Sequence, residues 1–197
     1  MADSLYLSLW FPSFDREEIL PRTVSVLQQL PFSPLKPGVT YAAVHPVSWA
    51  EPTILERRFV PGLLPAEAAG IFADIVHDDY AYVFEAYWDL WTPPEGADPW
   101  ALRPSLVRII AHGTEFEDNE AAQSGHIEVD FGLDTPFLHE ELALSFEAEN
   151  RIRSNVQKLV EFTANAEKKS GAISRVLWSE SEENLAQKLI ARLQKVN

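Results

Sequence analysis

The sequence predicts an α+β fold, an antiparallel sheet or sheets backed by helices, and three observations carry that prediction. Several segments alternate residue types with the period of two that belongs to a strand. Others space apolar residues at three and four, as one face of a helix requires. The two kinds follow one another as β-α-β-β-α-β and then β-β-α-β-α, so that strands often come in consecutive pairs.

The elements can be justified in order. Leu5, Leu7, Leu9 and Phe11 alternate with Tyr6, Ser8 and Trp10, which reads as a strand with bulky residues on both faces. Asp15 with Glu18 resembles a capping box, and a helix is expected from there to about Leu30, kinked or split at Pro21. Pro31, Pro34, Pro37 and Gly38 make a turn-rich loop. Val39 to Val47 and Thr53 to Val60 read as strands around a Pro46–Pro52 turn region. Pro65 suits the first turn of a helix running to about His77. Tyr80 to Trp91 is an aromatic-rich strand. The loop from Thr92 to Pro104 holds Pro93, Pro94, Gly96 and Pro99 and is the natural boundary between halves. Leu106 to Ala111 and His126 to Gly132 are strands. A long helix covers most of Glu149 to Lys169, with Gly171 just past its end. Ile173 to Trp178 is a strand, and Ser181 caps a last helix with Glu182 and Glu183 in its first turn and Lys195 near its end.

The first half has the order of a ferredoxin-like split βαβ unit. The second has the same order with its opening βα moved to the end. Two ferredoxin-like halves packed together, 1–95 and 104–197, are therefore expected, or one continuous sheet in a single compact domain spanning 1–197.

Composition narrows the function. The chain has 197 residues, of which 46% are hydrophobic, enough for a substantial core. No apolar run approaches the length of a membrane span, and Asp3 stands where a secretory signal carries bases. The absence of cysteine excludes disulfides and thiolate chemistry and suits a cytoplasmic location. Net charge is −14, unevenly spread: residues 111–150 hold 11 acids and no Lys or Arg, while residues 151–197 hold 5 acids and 9 bases. Such a chain repels phosphate backbones, so neither nucleic acid nor membrane is expected as a partner. There is no P-loop, no G-x-G-x-x-G and no G-x-S-x-G elbow, and no cofactor is evident.

One polar constellation stands out. If the strands at 106–111 and 126–132 form a hairpin with Arg108 opposite Asp130, then Val107, Ile109 and Ala111 face Phe131, Val129 and Ile127 on the core side. His112, His126 and Glu128 then share the other side. Two imidazoles and a carboxylate can ligate a divalent metal or perform acid–base chemistry. The bland alternative is a solvated sheet face, with Arg108 and Asp130 as an ordinary cross-strand pair. A second candidate surface joins the acidic run Glu115, Glu117, Asp118 and Glu120 to Trp91 and Trp100, as a docking site for a basic protein. A third candidate is an aromatic pocket near Trp88, Trp91 and Trp100 for a small molecule. Of these, a non-enzymatic protein-binding module of inhibitor or immunity-protein type is the leading expectation, with a metal-assisted enzyme as its rival.

Overall fold

The computed structural model describes residues 3–92, 100–138, 144–180 and 184–194. The Pro-rich segment 93–99, His139 and the predicted cap and charged positions Ser181, Glu182, Glu183 and Lys195 lie outside the described residues.

Seven strands are named in chain order: β1 (Ser4–Trp10), β2 (Val39–Pro46), β3 (Leu55–Leu63), β4 (Tyr80–Thr92), β5 (Ala101–His112), β6 (Ile127–Leu133) and β7 (Ser174–Ser179). Six helices accompany them: α1 (Ile19–Leu27), α2 (Pro65–Gly70), α3 (Glu120–Ser124), α4 (Thr135–Leu138), α5 (Phe146–Ser170) and α6 (Leu185–Gln194). A 3₁₀ turn, Phe116–Asp118, precedes α3.

The strands form one open sheet in the order β3-β2-β4-β5-β6-β1-β7. Every pairing is antiparallel. The ferredoxin-like arrangement is not confirmed. A split βαβ unit lays its first strand parallel to its third, whereas β1 here lies between β6 and β7, antiparallel to both. The first strand is thus inserted among strands from the other end of the chain. Its pattern fits that place, because Leu5, Leu7 and Leu9 are fully buried and Ser8 on the opposite face is buried too.

The strands on either side of the expected boundary between halves pair with each other. β4 and β5 pair continuously from Ala81↔His112 to Thr92↔Ala101, so β5 begins five residues before the predicted Leu106. Beyond Ala86, β4 outruns its other neighbour β2 and would leave a bare edge. Side chains and a loop satisfy it. Ser33 N–H donates to the Tyr87 carbonyl, Lys158 Nζ donates to the Asp89 carbonyl, and Asn155 bonds both Trp91 N–H (2.9 Å) and Trp91 C=O (2.8 Å). Asn155 also donates to the Pro136 carbonyl at 2.8 Å. A buried amide thus does the work that a neighbouring strand would otherwise do.

The main core lies on one side of the sheet. The Leu5–Leu7–Leu9 face, Val44, Tyr82, Phe84, Trp88, Val107, Ile109, Ile127 and Val129 pack there against Ile19, Val26 and Leu27 of α1 and Ile152, Val156, Leu159 and Phe162 of α5. Of the stripe that the spacing predicts, Ile152, Val156, Leu159 and Thr163 are buried, whereas Val160 is exposed and Phe162 is buried in its stead. The helix starts three residues earlier than expected, because Ser145 caps it through the Ala148 N–H, and it stops at Gly171 with φ +77°. α1 begins at Ile19, which leaves Pro21 in the first turn, where a missing N–H costs nothing and no kink is needed. Among the described residues no helix is long and apolar enough to cross a membrane.

Candidate functional site

Among the described residues the opposite face of the sheet carries no helix from the main core, and its register builds the candidate site. One row of directly opposed residues crosses all seven strands: Arg58, Tyr41, Glu85, Arg108, Asp130, Tyr6 and Trp178. Neighbours along it interact in turn. The Arg58 guanidinium lies 5.0 Å from the Tyr41 ring centroid, a cation–π distance. Arg108 donates to Glu85 through Nη2 (2.9 Å) and Nε (3.2 Å) and stands 3.9 Å from Asp130. Tyr6 and Trp178 stack at 4.6 Å, and the Tyr6 hydroxyl reaches Glu180 at 3.4 Å.

The next row is Glu56, Ala43, Val83, Ile110, Glu128, Ser8 and Val176. Its middle is a small apolar strip of Ala43, Val83 and Ile110, with Tyr41 packed against it. Long side chains from the row above can shelter such a strip while keeping their polar ends in water. At the other end of the strip, Trp178 Nε1 donates to the buried Ser8 hydroxyl at 3.0 Å.

Glu128 is the electrostatic focus of this face. Burial, reinforced by the negative charges of Asp130 and Glu120, pushes its carboxyl up to about 7, against a lowering hydrogen bond from Ser124. Within α3 the Ser124 hydroxyl donates to Glu120. Tyr6 is raised in the same way, first by burial and then by Asp130, Glu180 and Glu128.

The acidic run closes one end of this face. Phe116 is fully buried, and Trp49 stands edge-on to Phe116, His45 and His112. Glu117 is not idle: its carboxylate accepts the Trp49 N–H at 2.7 Å and its own N–H donates to the Val47 carbonyl. Glu117, Asp118 and Asn119 hold three successive positive φ angles of 48°, 52° and 74°, a conformation that costs a non-glycine residue about 1 kcal/mol or more each.

The predicted hairpin register is the one observed, with Arg108 opposite Asp130 and His112 N–H bonded to the His126 carbonyl. The histidine rings nevertheless enter different surroundings. His126 sits just before β6 and stacks on Phe14 (4.9 Å) and Phe11 (6.2 Å), members of the main core, while its Nδ1 accepts the Phe11 N–H at 2.9 Å. His112 is 2% exposed, packs on Phe116, and directs Nδ1 to the Gly125 carbonyl at 3.0 Å. Since a carbonyl only accepts, His112 carries its proton on Nδ1, whereas His126 must leave Nδ1 bare. Burial lowers both imidazole pKa values. Among the described residues no group of three or more His, Asp or Glu side chains is placed to hold a metal ion.

The predicted docking residues fall into two places. Glu115, Glu117, Asp118 and Glu120 lie beyond the His112 end of β5, and Trp91 and Trp100 lie at its Ala101 end. Twelve residues of strand separate these ends, roughly 35 Å at about 3.3 Å per residue. Trp91 carries the Arg151 guanidinium 5.3 Å from its ring centroid, and Trp100 packs at the margin of the core. Trp88, predicted to line a pocket, is fully buried among Phe131, Phe137 and Phe162. Sequence reasoning missed Tyr6, Tyr41, Arg58 and Trp178 as site residues. The alternation of β1 marks Tyr6 as facing away from the leucines, but nothing in it reveals that Asp130 and Trp178 are its neighbours.

Compared with protein-family models, curated proteins and solved structures, the chain matches none.

Proposed function

We propose that this chain is a non-enzymatic binding module, in the manner of an inhibitor or immunity protein, that docks a basic protein surface on the open face of its sheet. The observation that carries the reading is the cross-strand row in which carboxylates alternate with aromatic rings and arginines on a face without core helices. Both arginines of the row are already engaged, Arg108 by Glu85 and Arg58 by Tyr41, whereas Glu56 and Glu180 add further negative charge around them. Tyr and Trp beside charge form the side-chain set on which protein interfaces concentrate their energy. The acidic run Glu115–Glu120 rims the same face and extends its field. The binding competence resides in a rigid sheet, which costs little ordering on association.

The test is charge reversal at two exposed carboxylates of this face. Glu56→Lys with Glu180→Lys is measured against a panel of small basic proteins by biolayer interferometry. Binding that weakens from about 50 to 500 mM salt, and that the double variant slows at the association step, is expected. Salt-independent binding, or equal association by the double variant, overturns the reading.

A further inference from the structure

The sheet ends in two edge strands, and they are not alike. β3 presents Glu56, Arg57 and Arg58, contains Pro61 and pairs with β2 through a register shift. These are the devices that blunt a natural edge. β7 has neither Pro nor Gly and pairs with β1 in unbroken register over six positions.

The hydrogen-bond alternation of an antiparallel sheet fixes what β7 turns outward. His112 N–H bonds the His126 carbonyl, so even-numbered residues of β6 serve β5 and odd-numbered ones serve β1. Odd residues of β1 therefore serve β6, and Tyr6, Ser8 and Trp10 serve Trp178, Val176 and Ser174 of β7. The N–H and C=O groups of Arg175, Leu177 and Ser179 are left pointing away from the sheet. Among the described residues no other backbone group bonds to them. The strand is exposed from Ser174 to Val176, half-buried at Leu177 and Trp178, and buried at Ser179.

Charge indicates the occupant. A strand added to β7 would place alternate side chains on the open face, beside Val176, Trp178 and Glu180, with Asp130 and Glu128 of β6 two strands behind β7. We propose that an extended lysine- or arginine-bearing segment of a partner protein adds to β7 as an eighth strand, its basic side chains on the open face. The inference rests on the open-face reading and supplies its mode of binding: main-chain bonds give affinity and alternate side chains give specificity. A second copy of this chain fits less well. Each copy carries −14, and the one base that β7 offers, Arg175, is held by Glu167 at 3.2 Å.

The probe is a fluorescein-labelled octapeptide of alternating lysine and threonine. With lysines on the open face, its threonine N–H groups point at β7. A twin peptide N-methylated at each threonine keeps length and charge but loses those donors. Fluorescence anisotropy on the full chain is expected to show at least tenfold tighter binding of the unmodified peptide. Amide protons of Arg175, Leu177 and Ser179 are expected to gain exchange protection with it. Equal binding of both peptides overturns strand addition and leaves electrostatic docking standing. Binding of neither overturns it as well, while the open-face reading still answers to Glu56→Lys and Glu180→Lys with whole basic proteins. Protection of the same amides without peptide, with doubled mass in light scattering, assigns the edge to a second copy and overturns the proposal.

Discussion

Replacing Glu128 with glutamine should make the protein more stable at pH 8 and leave it unchanged at pH 4.5. The carboxyl sits in the sheet between Ile110 and Ser8, with Asp130 two residues away on the same face. Burial and neighbouring acids raise it from 4.5 to about 7, so the native state binds this proton more tightly than the unfolded chain does. The resulting stability is fully present below about 4.5 and is lost as pH rises through about 7. A difference of roughly 2.5 units corresponds to about 3 kcal/mol at 1.36 kcal/mol per unit. Partial exposure to solvent reduces this to ~1.5 kcal/mol. Glutamine is a neutral isostere of the protonated acid and removes the pH-dependent part. The assay is urea denaturation of wild type and Glu128→Gln at pH 4.5, 6 and 8, comparing midpoints at constant slope. The two proteins should coincide at the lowest pH and separate progressively above it. A constant offset at all three values, or a wild type that gains on the variant as pH rises, would refute the reasoning.

Two further outcomes follow from the geometry. Asn155→Leu should destabilise by about 2–4 kcal/mol, because it strips partners from Trp91 N–H and C=O and the Pro136 carbonyl at a site that stays closed to water; thermal unfolding within ~1 °C of wild type would show that β4 does not depend on this cap. Zn²⁺ in excess should leave the melting temperature unchanged, because among the described residues no three His, Asp or Glu side chains converge and the Nδ1 lone pair of His126 is taken by the Phe11 N–H; stabilisation near the ~2.7 kcal/mol expected at a hundredfold excess over Kd, abolished in His126→Ala, would contradict that assignment.

The order of the strands and of α1, α2, α5 and α6 was legible in the sequence, because each depends on periodicity within a dozen residues, while the short α3 and α4 carry too few residues to show one. The α5 stripe of Ile152, Val156 and Leu159 and the alternation of Ile127, Val129 and Phe131 are local signals of that kind. The β5–β6 register was legible for a related reason: apolar positions on two strands close in sequence match in only one way that buries both sets. The histidines show where this reasoning stops. Alternation places His126 beside Glu128, but the chain turns at Gly125, with φ +98°, and the ring stacks on Phe11 and Phe14. A backbone turn outside the strand overrides the pattern within it.

What the sequence by itself determined was therefore the elements, which faces of them are apolar, and the acidity of the chain. Only the tertiary structure decided which strands are neighbours. The leucines of β1 require a partner sheet but do not name it, since β6 and β7 satisfy the same backbone groups that β2 or β4 would. The row from Arg58 to Trp178 exists because β1 was drawn between strands more than a hundred residues away. Its carboxylates, arginines and rings are scattered along the chain, and pairing across the sheet is what makes them one surface.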